Sequence, residues 1–435
     1  MRLIYTNNKD EYDFLGEIKK RTMETSLSTN EAVIRIINEV REKGDAAVRG
    51  FGKQFDGSSP EKFEIPKAEM KQAYERAEVS FKKALNHAKD NITAYHIKQR
   101  QQGYEIKKDK GVILGQIVRG LSRVGIYVPG GTAAYPSTVL MNAIPAKIAG
   151  VEEIIMVTPP IVEKSEGQEP ICKGNPDILA AAYLAGVDRV FLIGGAQAVA
   201  ALTFGTESIP QVDKIVGPGN IYVASAKRLL FGQVDIDMIA GPSEILVIAE
   251  EDANPRYIAA DLMSQAEHDI MASAILLTTS EKIAKETLQE IALQKTKLNR
   301  NEIIEKSLAD YGSVIVCKSM EEMIMLANAI APEHLELMVK DPLKYLPEIK
   351  NAGSVFCGSY TPEPLGDYLS GTNHVLPTSG TARFASPLGV DSFIKKMSYT
   401  LYTKEALGEA REDILTLTDK EGLDAHANSI AIRFD

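Results

Sequence analysis

"DRVFLIGG", residues 188–195, runs directly into "AQAVAALTFG", residues 196–205. The first half is a short apolar run closed by two glycines. The second is alanine-rich and long enough for a helix. A strand followed by a helix is the repeating unit of a parallel sheet, and the same unit stands on either side. Upstream, "EEIIMVTPP" (152–160) leads to "NPDILAAAYLAGV" (175–187). Downstream, "DKIVGPG" (213–219) leads to "NIYVASAKRLLFG" (220–232). Alternation at this spacing implies right-handed βαβ connections and a sheet covered on both faces.

Further along the chain the pattern restarts. "EILVIAEE" (244–251) precedes a helix through "NPRYIAADLM" (254–263) and on to residue 268. "ASAILLTTS" (272–280) precedes "EKIAKETLQEIALQ", "GSVIVCKS" (312–319) precedes "MEEMIMLANAIA", and "GSVFCG" (353–358) closes the set. The fold class is therefore α/β, with two parallel-sheet units joined near 235–241. Towards the N-terminus, "GVILGQIV" (111–118) and "RVGIYVPGG" (123–131) read as strands. The first quarter reads as helical. Ser28 and Glu31 have capping-box spacing ahead of Val33, Ile34, Ile37 and Val40, and a long charged helix is expected over 67–102. Residues 161–176 read as a polar surface loop, and the stretch from 381 as a helical tail.

Composition narrows the function. The chain has 435 residues, 44% of them hydrophobic and 25% charged, enough for a sizeable core. A net charge of −10 offers no electrostatic case for nucleic acid or an anionic membrane. No apolar run is long enough for a span, and the first twenty residues have no signal-peptide core. Cys172, Cys317 and Cys357 form no CxxC pair, which suggests a reducing, cytoplasmic setting.

Three kinds of chemistry are written into short motifs. The glycine clusters "VPGG", "IGGAQA" and "VGPGN" each follow a strand and precede a helix, where backbone N–H groups hold phosphate. None is a GxGxxG, so a nucleotide site and a plain tight turn both explain them. In "NAIAPEHLELMV" (328–339), Glu333 and His334 are adjacent after Pro332. They are either a proton-transfer pair or a helix cap. In "SQAEHD" (264–269), Gln265 and His268 share a helix face. Asp367 follows in a Gly/Pro-rich loop, and Glu421 and His426 stand in "EGLDAHA". Gln265, His268, Asp367 and His426 together would make a thiolate-free site suited to Zn²⁺ or Mn²⁺. The competing reading is a packed helical histidine.

Taken in order, "VGIYVPGG", "GPSEILVIA", "DLMSQAEHD", "APEHLEL", "NAGSVFCG", "YTPEPLGDYLSGTNHVLPT" and "EGLDAHA" resemble the motif succession of the histidinol dehydrogenase family. The resemblance covers nearly the whole chain, although the 161–176 stretch is longer than the family pattern suggests. It implies two Rossmann-like, aldehyde-dehydrogenase-like units without the usual fingerprint. Residues 1–120 would pack with 236–380, 121–235 would bind the cofactor, 236–380 would carry the metal and catalytic residues, and 381–435 would form the tail.

The resemblance also implies Zn²⁺ on Gln265, His268, Asp367 and His426, with Glu333 and His334 catalytic. Substrate contacts would come from Ser243, Glu421, His334 and the metal ligands, and NAD contacts from Tyr127, Gln197 and Asn220. L-histidinol would be oxidised to L-histidine, in a homodimer whose tails cross between subunits. Three alternatives stand beside this. One is a cysteine-dependent aldehyde dehydrogenase, with Cys357 as the best-placed thiol. Another is a zinc protein without turnover. The third is a related dehydrogenase acting on another small alcohol.

Overall fold

Short, mostly apolar runs pair into two six-stranded sheets. The structure, a computed structural model, describes residues 1–23, 27–130, 135–164 and 170–435. In the first sheet the strand order is Asp235–Ile236, Lys214–Val216, Arg123–Tyr127, Glu153–Thr158, Arg189–Leu192, Glu64–Ile65. All pairs are parallel except the last. The order reverses between Arg123–Tyr127 and Lys214–Val216, which opens a crevice at their carboxyl ends. The second sheet is wholly parallel: Arg2–Tyr5, Gly312–Val316, Ser273–Thr278, Glu244–Ala249, His334–Met338, Ser354–Cys357.

Both sheets are covered on two faces, as alternate residues of one strand show. In the first sheet Ile154 and Met156 join one apolar cluster, while Ile155 and Val157 join another. In the second, Ile245 and Val247 point one way and Leu246 and Ile248 the other. The covering helices start where the sequence supplies caps. Asn175, Asn220, Asn254, Ser280 and Ser319 each accept a first-turn backbone N–H. Such a cap contributes about 1 kcal/mol. The helix containing Ser28 runs over Leu27–Lys43 and buries Val33, Ile36, Ile37 and Val40.

Several expectations need correction. The long helix over 67–102 is two helices, Lys67–Arg76 and Val79–His96, with extended backbone at Ala77 and Glu78. The first helix lies on Pro176–Ala185, and the second lies chiefly on Pro136–Ala149. The elements of residues 1–120 divide between the two units. Strand Arg2–Tyr5 joins the second sheet, whereas helix Leu27–Lys43 and strand Glu64–Ile65 join the first unit. The 161–176 stretch contains an antiparallel ribbon, Ile161–Glu163 with Ile171–Lys173; residues 165–169 lie outside the described residues, as does Gly131 of "VPGG". The tail is not only helical. Strand Ile394–Leu401 pairs along its length with Ile113–Gly120, next to Tyr104–Lys107, and helices Lys404–Glu421 and Asp424–Ala431 follow. No helix among the described residues is long and apolar enough to cross a membrane.

Candidate active site

A cleft of about 280 Å³ lies between the two sheets. From the first unit it takes Pro129, Thr138 and the 217–220 turn. The second unit contributes Ser243, Gln265, His268, Glu333, His334, Asp367 and His374. The first sheet presents its carboxyl ends here, at the crossing where its strand order reverses. The second sheet presents the opposite ends: Ser243 precedes strand Glu244–Ala249, and His334 begins its own strand. The rule that open sheets bind ligands at carboxyl ends thus describes one wall only.

Glu333 and His334 stand at the start of a central strand, not at a helix cap. Pro332 ends the preceding turn, and His334 pairs with Ile245 and Ser354. Their geometry is fixed by the neighbouring strand. The Glu244 backbone N–H donates to Glu333 Oε2 at 3.0 Å. His334 Nδ1 lies 3.0 Å from the Glu244 carbonyl oxygen. A carbonyl only accepts, so Nδ1 carries the proton and Nε2 carries the lone pair. Nε2 is buried with no hydrogen-bond partner. Burial pushes the His334 pKa down to about 4, against an opposing pull from Asp367. The ring is therefore a neutral base with a free lone pair.

Gln265 and His268 do not share a continuous helix. Helix Pro255–Ala266 ends just before His268, whose backbone N–H donates to the Gln265 carbonyl at 3.2 Å. That tight turn keeps both side chains on the cleft wall. Gln265 is 1% exposed and its Oε1 has no partner. Asp367 lies in a short helix, Glu363–Tyr368, not in a loop. His334, Glu363 and Asp367 offer ligand atoms within 4.8 Å of one another. This cluster shares only Asp367 with the expected metal set.

Other site groups went unnoticed in the sequence. Burial, with the Asp367 charge, pushes Glu363 up to about 10. Its backbone N–H donates to Glu336 Oε1 at 2.8 Å. Glu336 is also raised by burial and by Asp261, and Asp261 is raised by burial to about 6. These carboxyls form a buried group beside His334, with Glu363 Oε1 3.8 Å from its Nε2. His374 Nδ1 lies 3.1 Å from the Asp367 carbonyl oxygen, and its Nε2 faces Thr138 Oγ1 at 3.4 Å. One signal was visible: Glu336 and Asp261 interrupt otherwise apolar stretches, "HLELM" and "AADLM".

The cofactor and tail positions are dispersed. Asn220 is exposed at the cleft, where its side-chain oxygen caps helix Ile221–Leu230. A second hollow of about 560 Å³ adjoins there, sharing Asn220, Gly241, Ser243 and His268. Tyr127 is buried beneath the neighbouring turn and accepts a hydrogen bond from Gly195 N at 3.0 Å. Gln197 lines a separate small cavity with Asp56 and Gly194. Glu421 and His426 are exposed on the two tail helices and do not line the cleft of their own chain. Cys317 is buried, its thiol pushed up to about 12, and neither it nor Cys357 lines the cleft.

Comparison with known proteins gives one consistent result. The family model described as histidinol dehydrogenase matches residues 19–434. The chain is 52% identical over 434 residues to the histidinol dehydrogenase of Clostridium acetobutylicum, covering 100% of this chain and 99% of that one. It is 54% identical over 424 residues to that of Listeria monocytogenes, covering 97% of each. The crystal structure of histidinol dehydrogenase from Elizabethkingia anophelis matches with a TM-score of 0.90 at 37% identity, covering 100% of this chain and 98% of that one.

Proposed function

Because the chain belongs to the histidinol dehydrogenase family, its reaction is the oxidation of histidinol in histidine biosynthesis, and we propose that this occurs in the cleft between the sheets. The full reaction is L-histidinol to L-histidine through L-histidinaldehyde, with NAD as the oxidant in both steps. The observation that supports the site is the buried, unpartnered His334 Nε2 on the same wall as Glu333, Gln265, His268 and Asp367.

The donor set fits a zinc ion. Gln265 Oε1 is an orphaned buried oxygen, and imidazole, carboxylate and amide without thiolate suit a borderline divalent metal. Gln265, His268 and Asp367 would hold the ion, with His426 from a second copy of the chain. Asn220 would contact the nicotinamide cofactor beside the cleft, with Tyr127 and Gln197 under the adjacent turn. When bound, the metal offers a Lewis-acid anchor for imidazole and amine nitrogens, and the cofactor offers a hydride acceptor.

The chain's residues handle the protons. His334 Nε2 takes the hydroxyl proton of histidinol as hydride leaves the carbon. Glu333 takes a proton from water as its oxygen adds to the aldehyde, and the former carbonyl oxygen takes the proton that His334 holds, giving the hydrate and freeing Nε2. His334 then takes a hydrate hydroxyl proton as the second hydride leaves. Ser243, on the wall shared with Gln265, and Glu421 from the second copy would hold the substrate's polar groups. A general base is worth on the order of 10²- to 10⁴-fold.

The test is to supply L-histidinol and NAD to the metal-loaded protein and follow NADH and histidine. Two NADH per histidine support the reading. NADH without histidine would limit the chain to alcohol oxidation, and no NADH from histidinol would sink it.

A further inference from the structure

The 217–220 turn is tied from beneath by a buried ion pair. Lys227, two turns along the helix that the turn begins, and Asp237, in the connection between the units, have side chains 2% and 1% exposed. Lys227 Nζ donates to Asp237 Oδ1 and, at 3.0 Å, to the Gly217 carbonyl oxygen. Asp237 Oδ2 accepts the Gly217 N–H at 2.7 Å, and Oδ1 accepts the Met238 N–H at 2.6 Å. Both backbone polar groups of Gly217 are therefore held by this pair. Asp237 itself lines the cleft, and its connection continues through Ala240 and Gly241 to Ser243.

A buried ion pair is not an economical way to stabilise a fold, since apolar side chains of similar volume often do as well or better. This pair instead fixes one geometric relation. It joins the turn on the cofactor side of the cleft to the connection that carries the substrate-side wall. We infer that Lys227 and Asp237 are positioning residues that set the 217–220 turn against the 237–243 connection, and so align the cofactor with the substrate. The inference rests on the reading that this turn takes the nicotinamide cofactor.

Binding tests it without turnover. The chain has no tryptophan, so Tyr222→Trp, beside the turn, supplies a single reporter for NADH titration. In that background, Lys227→Met should weaken NADH binding on the order of tenfold, because small misplacements at such a site are costly. Histidinol affinity, measured by calorimetry on the zinc-loaded protein, should move less than about twofold if the metal wall is undisturbed. If Lys227→Met does not fold, Asp237→Asn carries the test. Its amide cannot accept at both positions, so the hold on Gly217 weakens and the same selective loss is expected.

Unchanged NADH affinity in the folded variants overturns the inference. Equal losses for NADH and histidinol also overturn it, because they mark general disruption. Asn220→Asp separates this failure from that of the underlying reading. It keeps a capping oxygen but places a negative charge at the turn. If Asn220→Asp weakens NADH binding and Lys227→Met does not, only the positioning role fails. If Asn220→Asp leaves NADH binding unchanged, the cofactor is not on this turn and both fall.

Discussion

His334 owes its free nitrogen to a neighbouring backbone carbonyl, and Gln265 and His268 share the cleft wall because their helix stops early. Both arrangements yield residue-level predictions. His268→Asn should lower bound zinc without unfolding the chain, because His268 is exposed beyond the helix end. Elemental analysis that finds full zinc in His268→Asn and in His426→Asn would remove both from the metal set. The thiols behave differently. Cys317 is held as a neutral thiol because burial raises it to about 12. Its contribution to stability is complete below the unfolded thiol value of about 8.5 and is lost as pH rises towards the folded one. Alkylation of the native protein near neutral pH should therefore label Cys172 and spare Cys317, with mass spectrometry as the readout. Rapid labelling of Cys317 in the folded state would contradict its burial.

Legibility differed among residues for physical reasons. Gln265, His268, Glu333, His334 and Asp367 sit in short local motifs and converge on one cleft. Glu363, Glu336 and Asp261 could not be assigned from sequence, because an acid's environment is set by what packs over it. Their raised pKa values arise from mutual burial across separate elements.

Among the elements, the central parallel strands and their helices were readable because apolar runs and asparagine or serine caps mark them locally. Strand Ile394–Leu401 was not, since its residues are mostly exposed and its order comes from a partner nearly three hundred residues away. The 217–220 turn offers a direct test of element geometry. Gly217 has φ +106°, and a Cβ there would lie 2.2 Å from the Tyr127 carbonyl oxygen. Gly232 has φ +99° but meets nothing within 4 Å. Gly232→Ala should cost only backbone strain, about 1 kcal/mol. Gly217→Ala should cost clearly more and also weaken NADH binding. Denaturant midpoints compare the two, and equal losses would show that the contact with Tyr127 carries no weight.

For the whole molecule, the exposed positions of Glu421 and His426 shape the prediction. The strand before them is bonded to its own chain, yet neither side chain reaches its own cleft. The proposed exchange of tails in an isologous dimer can be tested by mixing His334→Ala with His426→Ala after dissociation and reassociation. Hybrids would carry both lesions in one site and none in the other. Random mixing should return roughly a quarter of wild-type activity. Activity no higher than that of the parent variants would mean that each cleft uses its own tail.

The pairing of Arg2–Tyr5 with Gly312–Val316 has a consequence for synthesis. Strand Arg2–Tyr5 joins a sheet whose partner strand leaves the ribosome roughly 310 residues later. At about 5–20 residues per second, that is a wait on the order of 15–60 s. The first unit can meanwhile assemble behind it, since its strands follow one another closely from Arg123 onward. The nascent chain thus holds an early segment in reserve for a late sheet. A bulky fusion ahead of Arg2 should burden the maturation of the second unit while leaving the first to form on schedule.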